Sequence, residues 1–338
     1  MRAAFVAGIL GLVAGGALLV GASAQAPGQC SPGSIGLFRT IEIDTRGAPR
    51  FGLQQYKGND PLRDREVILT FDDGPHKQLT QPVLEALDAH CTKATFFMVG
   101  QRALQYPELV RAVASRGHTV GTHTWSHQNL AKLEPAEATA EIEMAISAVQ
   151  KSLGASAAPF FRFPYLAYST PMHAHLASRN TGIFSIDIDS YDFKTRSPTV
   201  VIRNVMRQLD EKGRGIILFH DIQPSTAGAL NQLLAELKAK GFKVVHMVPK
   251  QSQATVAEYD RRVGNPNSRR LASLPIPIAQ RGIVSPAWDV QVYRGPGQPI
   301  GAISGPTLSN NPPPNAPLPR PTRRTNDEDW LKSIFRGW

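Results

Sequence analysis

Five short polar clusters in the middle of the chain carry side chains suited to metal-assisted hydrolysis. The first is Asp72-Asp73, which follows the apolar run Val67-Ile68-Leu69-Thr70-Phe71 and leads into Gly74-Pro75. Asp-Gly-Pro alone is turn chemistry. Two adjacent carboxylates behind a buried strand repel each other unless a cation or an arginine offsets them. The second cluster is His123-Thr124-Trp125-Ser126-His127. Imidazoles at i and i+4 can face one way and offer two nitrogens to one metal; without a third ligand they read as an ordinary exposed helix surface. Adding Asp72 or Asp73 completes two imidazoles and a carboxylate with positions left for water, the ligand set of an open catalytic metal site. Phe161-Arg162-Phe163-Pro164-Tyr165, Asp187-Ile188-Asp189-Ser190-Tyr191-Asp192-Phe193 and Leu218-Phe219-His220-Asp221 complete the set. Each alone is ordinary strand-end polarity, with Asp221 serving as a helix N-cap. Five in succession point to one site.

The elements that must position these clusters alternate strand and helix. Short apolar runs predict strands at 66–71, 94–99, 119–122, 160–162, 182–188, 215–219 and 243–247. Helical spacing predicts helices over 79–89, 108–116, 134–153, 200–209 and 227–240, several of them closing on glycine. Such alternation implies parallel pairing and an α/β fold. The span is short for a complete eight-unit barrel, which takes about 250 residues, so a reduced or irregular barrel is expected, with an open doubly wound sheet as the competitor. Reactive groups in such folds gather at the C-terminal ends of strands, where all five clusters stand. No glycine-rich phosphate loop follows a strand, so nothing supports nucleotide binding.

In this order the five clusters resemble the motif set of the polysaccharide deacetylases, the NodB-homology domain of carbohydrate esterase family 4. The likeness covers roughly residues 64–248, and Thr70-Phe71-Asp72-Asp73-Gly74-Pro75 and the His123/His127 cluster are its most specific parts. It implies an irregular (β/α) barrel of about seven parallel strands, a divalent metal, zinc foremost, and removal of acetyl groups from sugars. By this resemblance Asp73, His123 and His127 are the metal ligands and Asp72 is the general base. Arg162 holds that base, and the backbone N–H of Tyr165 serves the oxyanion. His220 is the general acid, Asp192 orients it, and Leu218, Phe193 and Pro164 line the substrate pocket. Phe193 departs from the pattern, since many members carry Trp there. The expected substrate is a glycan containing N-acetylglucosamine, of chitooligosaccharide or peptidoglycan type. An O-acetyl ester deacetylase on xylan-type glycans and a non-catalytic glycan-binding protein are the alternatives.

The termini frame this domain. Arg2, the apolar stretch 3–20 and Ala22-Ser23-Ala24 describe a secretory signal peptide at 1–24, its cleavage leaving no membrane span and placing the protein in the periplasm or outside the cell. An uncleaved anchor is the competing reading. In an oxidising compartment Cys30 and Cys91 are free to pair, closing a loop worth about 4 kcal/mol. Residues 25–63 are expected to form an N-terminal arm, and 249–338 a largely unstructured, Pro-rich basic extension. The last 88 residues hold 11 basic and 6 acidic side chains, half of the net charge of +10 carried by the 338-residue chain, and 13 of its 27 prolines. Net charge of this sign suggests polyanion binding. Its location makes a plain spacer the preferred reading of the tail, with a weak tether to anionic cell-wall polymer as the alternative, and no basic helix or zinc finger supports nucleic-acid binding.

Overall fold

The computed structural model describes Cys30, residues 33–264 and the backbone of Val290–Tyr293. Its strands are β1 (Arg39–Ile43), β2 (Arg50–Phe51), β3 (Glu66–Asp72), β4 (Thr95–Met98), β5 (Thr119–Thr122), β6 (Phe160–Phe161), β7 (Gly182–Phe184), β8 (Ile188–Asp189), β9 (Gly215–His220), β10 (Lys243–Pro249) and β11 (Val290–Tyr293). All pair in parallel. Between them run α1 (Thr80–Ala89), α2 (Gly100–Gln105), α3 (Pro107–Ser115), α4 (Pro135–Leu153), α5 (Thr170–Ser178), α6 (Pro198–Lys212) and α7 (Pro224–Ala239), followed by α8 (Ala257–Arg262). Pro107, Pro135, Pro198 and Pro224 each open a helix, where a missing N–H costs nothing. Gly154 and Gly213 close α4 and α6 in the left-handed conformation that favours glycine.

The central row runs β8-β9-β3-β4-β5-β6-β7, with β2 beyond β7. Seven strands at about 4.8 Å spacing would hold the outer two about 29 Å apart if flat. Yet β7 ends at Phe184 and β8 begins at Ile188, a step that an extended chain spans in about 14 Å at most. The row must therefore curl strongly, giving the irregular (β/α) barrel expected. Among the described residues no ladder joins β7 to β8.

Side-chain alternation along this curled sheet explains where chemistry can occur. Val67, Leu69 and Phe71 of β3 join Ile217 and Phe219 of β9 in the apolar cluster under the helices, with Leu84, Val205 and Leu233. Ile68, Phe97, Phe160 and Ile216 pack in a second cluster on the opposite face of the strands. The period of two then puts Asp72, Leu218, His220 and Arg162 on that second, interior face, at the C-terminal ends of their strands.

Several expectations are corrected here. The strand expected over 182–188 is two, because the chain changes partner: Ser185 N–H donates to Phe51 O and Asp187 N–H to Ile216 O. The helix expected over 108–116 is preceded by a separate α2, ended before Pro107. Helix α5 has little apolar periodicity, so the sequence pattern does not predict it. Residues 25–63 are more than an arm, since β1 and β2 enter the sheet. A buried pair, Arg39 Nη2 on Glu66 Oε2 at 2.6 Å, ties β1 to β3 and hides its strand character behind charged side chains. The start of 249–338 is also ordered: α8 packs on α4, and Lys151 Nζ donates to Val263 O.

Cys30 and Cys91 form the expected disulfide, their Cα atoms 5.8 Å apart. The leader expected at 1–24 and nearly all of the tail beyond 264 lie outside the described residues. No helix among the described residues is long and apolar enough to cross a membrane.

Candidate active site

Strand ends and tight loops bring the five clusters together. Asp72 is the last residue of β3, and the chain then turns through Asp73 at φ 74°. His123 follows β5, but the segment to His127 is a loop rather than the helix that i, i+4 spacing suggested. Positive φ at Thr124 and His127 folds it back, and Thr124 Oγ1 accepts the His127 N–H at 3.0 Å. The two imidazoles converge on the same carboxylate: His123 Nε2 is 3.4 Å and His127 Nε2 3.2 Å from Asp73 Oδ1. Ligand atoms of Asp73, His123 and His127 all lie within 4.8 Å of one another.

The protonation of this group favours a cation. His123 Nδ1 donates to Arg162 O at 2.8 Å, leaving Nε2 with its lone pair toward Asp73. Burial pushes His123 down to about 4, keeping it neutral. Burial works to raise Asp73, but His127 and His220 overcome it and hold the carboxyl well below the usual carboxylate range. Asp73 Oδ1 is buried without a hydrogen-bond partner. A neutral imidazole lone pair facing an ionised oxygen is repulsive as it stands, and a divalent ion between them removes the conflict. The residues therefore fit the metal the sequence implied.

Asp72 is organised from behind. Arg162, fully buried, donates to Asp72 Oδ1 at 2.7 Å and to Thr70 Oγ1 at 2.8 Å. Its remaining donors reach Ser185 O and Phe184 O, and its guanidinium lies over the Phe97 ring at 4.4 Å. Thr70, Ser185 and Phe97 are anchors that the sequence did not reveal; each looks like an ordinary strand residue. Asp72 Oδ2 remains 3.9 Å from His123 Nε2.

On the neighbouring strand β9, His220 pairs in register with Asp72; its Nδ1 donates to Asp192 Oδ1 at 2.7 Å, and its backbone N–H donates to Asp192 Oδ2 at 2.7 Å. Thr226 Oγ1 also donates to Oδ2, and Ser225 Oγ to the Asp192 carbonyl. These two residues open α7 and read in the sequence only as a helix start. Burial alone would lower His220, but the charge and hydrogen bond of Asp192, helped by Asp73 and Asp72, lift it to about 10. Of the three carboxylates in the fourth cluster, only Asp192 reaches the site. Asp187 instead accepts the Leu53 and Ile216 N–H groups, and Asp189 accepts that of Tyr191.

Phe193 meets the His220 ring edge-on at 5.6 Å; Leu218, just before His220 on β9, and Pro164, just after Arg162, are buried. Tyr165, at φ 59°, sets its ring 4.8 Å from that of His127 and remains 44% exposed. Asp221 is not the expected N-cap: the residue that caps α7 is Gln223. Asp221 is fully buried, takes the Thr80 hydroxyl at 2.5 Å, and is pushed up to about 7 by burial.

A family model described as polysaccharide deacetylase matches residues 59–182. The peptidoglycan-N-acetylglucosamine deacetylase of Bacillus cereus is 32% identical over 56% of this chain and 70% of its own. The chain belongs to the polysaccharide deacetylase family. Another member, the chitooligosaccharide deacetylase of Azorhizobium caulinodans, is 33% identical over 52% of this chain and 90% of its own. Among solved deacetylase structures, the peptidoglycan deacetylase of Bdellovibrio bacteriovorus superposes with a TM-score of 0.58 at 34% identity. The match covers 64% of this chain and 61% of that one, so this chain spans less than two thirds of the Bdellovibrio protein.

Proposed function

We propose that the protein is an exported, metal-dependent deacetylase that removes N-acetyl groups from glycans containing N-acetylglucosamine. The observation that carries this is the pairing of Asp72, held by a buried arginine, with His220, held protonated by Asp192, as register partners on β3 and β9 beside the Asp73–His123–His127 group. The substrate class rests on relatives named for peptidoglycan N-acetylglucosamine and for chitooligosaccharides. A divalent metal held by Asp73, His123 and His127, with zinc the natural fit to two imidazoles and a carboxylate, would polarise the acetyl carbonyl and acidify water.

The chain's own residues supply the proton transfers. Asp72 Oδ2 removes a proton from the attacking water while Arg162 occupies Oδ1 and fixes the carboxylate plane. The backbone N–H of Tyr165 meets the charge that develops on the carbonyl oxygen. His220, its Nδ1 committed to Asp192, presents Nε2 to the departing nitrogen and donates the proton that lets the C–N bond break. Leu218, Phe193 and Pro164 exclude water around the acetyl methyl.

Acetate release from N-acetylglucosamine oligomers and peptidoglycan fragments, with and without chelator, tests this reading. Asp72→Asn is expected to abolish turnover with metal still bound, and His123→Ala to lose both. Full turnover by the Asp72→Asn protein would remove the base assignment.

A further inference from the structure

A second polar pocket opens on the same end of the barrel. The loop that follows β2 leaves the C-terminal edge of the sheet, as do the loops that carry the active-site clusters. With Arg50 it encloses a pocket of about 260 Å³ lined also by Gln55, Tyr56, Lys57 and Asn59. That is below the range of about 300–1,000 Å³ that houses drug-sized ligands, so it suits one substituent of a sugar rather than an oligosaccharide.

The pocket is cationic without internal compensation. No carboxylate lines it, and neither Arg50 nor Lys57, both exposed, has an ion pair among the described residues. The nearest acid in sequence, Asp60, is taken by Arg214 at 2.7 Å. Asn59 Oδ1 is buried without a hydrogen-bond partner, an acceptor open to a sugar hydroxyl rather than to an anion. Aromatic rings connect this pocket to the active site. Arg50 stands 5.7 Å over Tyr56, whose hydroxyl meets His173 Nε2 at 3.2 Å. His173 stacks on Phe163 and contacts Tyr168, which is 52% exposed. Gln55 Nε2 donates to Leu166 O at 2.6 Å, directly after Tyr165 and its contact with the metal ligand His127.

We propose that Arg50 and Lys57 form an anion-accepting glycan subsite, which takes the carboxylate of a sugar neighbouring the one deacetylated, while Asn59 Oδ1 accepts from a hydroxyl of that sugar. Exposed Tyr165 and Tyr168 offer flat faces for the sugars in between. The proposal rests on the deacetylase reading for its substrate and narrows that substrate to glycans with acidic sugars, such as the lactyl ether carboxylate of a peptidoglycan-type strand. Neutral chitooligosaccharides would leave the subsite unused.

The test measures binding to the full-length, metal-loaded protein by titration calorimetry, with acetate release followed in parallel. Three tetrasaccharides serve as probes: the N-acetylglucosamine tetramer, the alternating N-acetylglucosamine/N-acetylmuramic acid tetrasaccharide, and the latter with its carboxylates amidated. The acid is expected to bind about 10-fold tighter than its amide, as two cations at a partly exposed site allow. The preference should shrink between about 50 mM and about 0.5 M salt. Arg50→Gln/Lys57→Gln should abolish the preference and leave binding of the neutral tetramer within about 2-fold. Equal binding of acid and amide by the unmodified protein overturns the proposal, as does a preference that survives the double substitution. The acid–amide comparison needs no variant, so misfolding cannot mask the answer. Preserved preference without acetate release would sink the deacetylase reading and leave the subsite standing.

Discussion

Replacing Asp192 by Asn should move the basic limb of the activity profile by several pH units. His220 is lifted from 6.5 to about 10 against the opposing pull of burial. That lift represents a preference for imidazolium of about 5 kcal/mol relative to solution. The charge and the hydrogen bond of Asp192 are its two largest upward causes. Asn keeps the shape but removes the charge, so burial prevails and His220 falls below its ordinary value. At pH 8 an imidazole titrating at about 6.5 is only about 3% protonated, so the loss in kcat/KM is about 30-fold or more. A cation at Asp73 offsets the smaller contributions of Asp73 and Asp72, setting the loaded protein's limb below 10 without touching the Asp192 contribution. Linkage supplies an independent readout in metal-free protein. A folded-state value above the unfolded one stabilises fully below about pH 6.5 and is lost as pH rises toward 10, at about 1.4 kcal/mol per pH unit. Urea unfolding across that window should show this decline in the native protein and not in Asp192→Asn. The reasoning fails if the variant keeps the native basic limb in kcat/KM.

Three further outcomes follow from the packing. Gly74→Ala should destabilise by about 1–3 kcal/mol and impair metal binding, measured by chemical unfolding and metal titration, because the added Cβ would meet the Asp221 carboxylate at 2.2 Å. Burial holds His118 well below its ordinary value and His246 down to about 3. Below about pH 6.5 the unfolded chain therefore binds protons that the fold refuses, and each histidine should cost about 1.4 kcal/mol per pH unit of acidification; His246→Gln should lessen that acid sensitivity. Cys30→Ser/Cys91→Ser opens a disulfide spanning 61 residues and should lower stability by about 4 kcal/mol under oxidising conditions, with no loss under reducing ones.

The sequence by itself determined the candidate site residues and the class of fold. Strand and helix periodicities are local properties, so β3, β5, β9, α4 and α7 could be read to within a few residues. The position of a carboxylate or histidine just after an apolar run is local too. The match of five clusters in order made Asp72, Asp73, His123, His127, Arg162 and His220 legible together. What the tertiary structure alone decided depends on contacts between residues far apart in the chain. Thr70 and the carbonyls of Phe184 and Ser185 meet Arg162 only through strand pairing, and Thr226 meets Asp192 only through the packing of α7. The histidine pair was legible as a pair, but its loop geometry was not, since positive φ at Thr124 and His127 contradicts the helical spacing that drew attention to it. Strand β1 was hidden for a related reason: Arg39 and Glu66 look exposed until each becomes the other's buried partner. The net charge that first suggested a polyanion partner proved the least local quantity of all. Half of it belongs to the last 88 residues. Within the fold, Asp60 is taken by Arg214, and the pocket lined by Arg50 and Lys57 has no carboxylate among its lining residues.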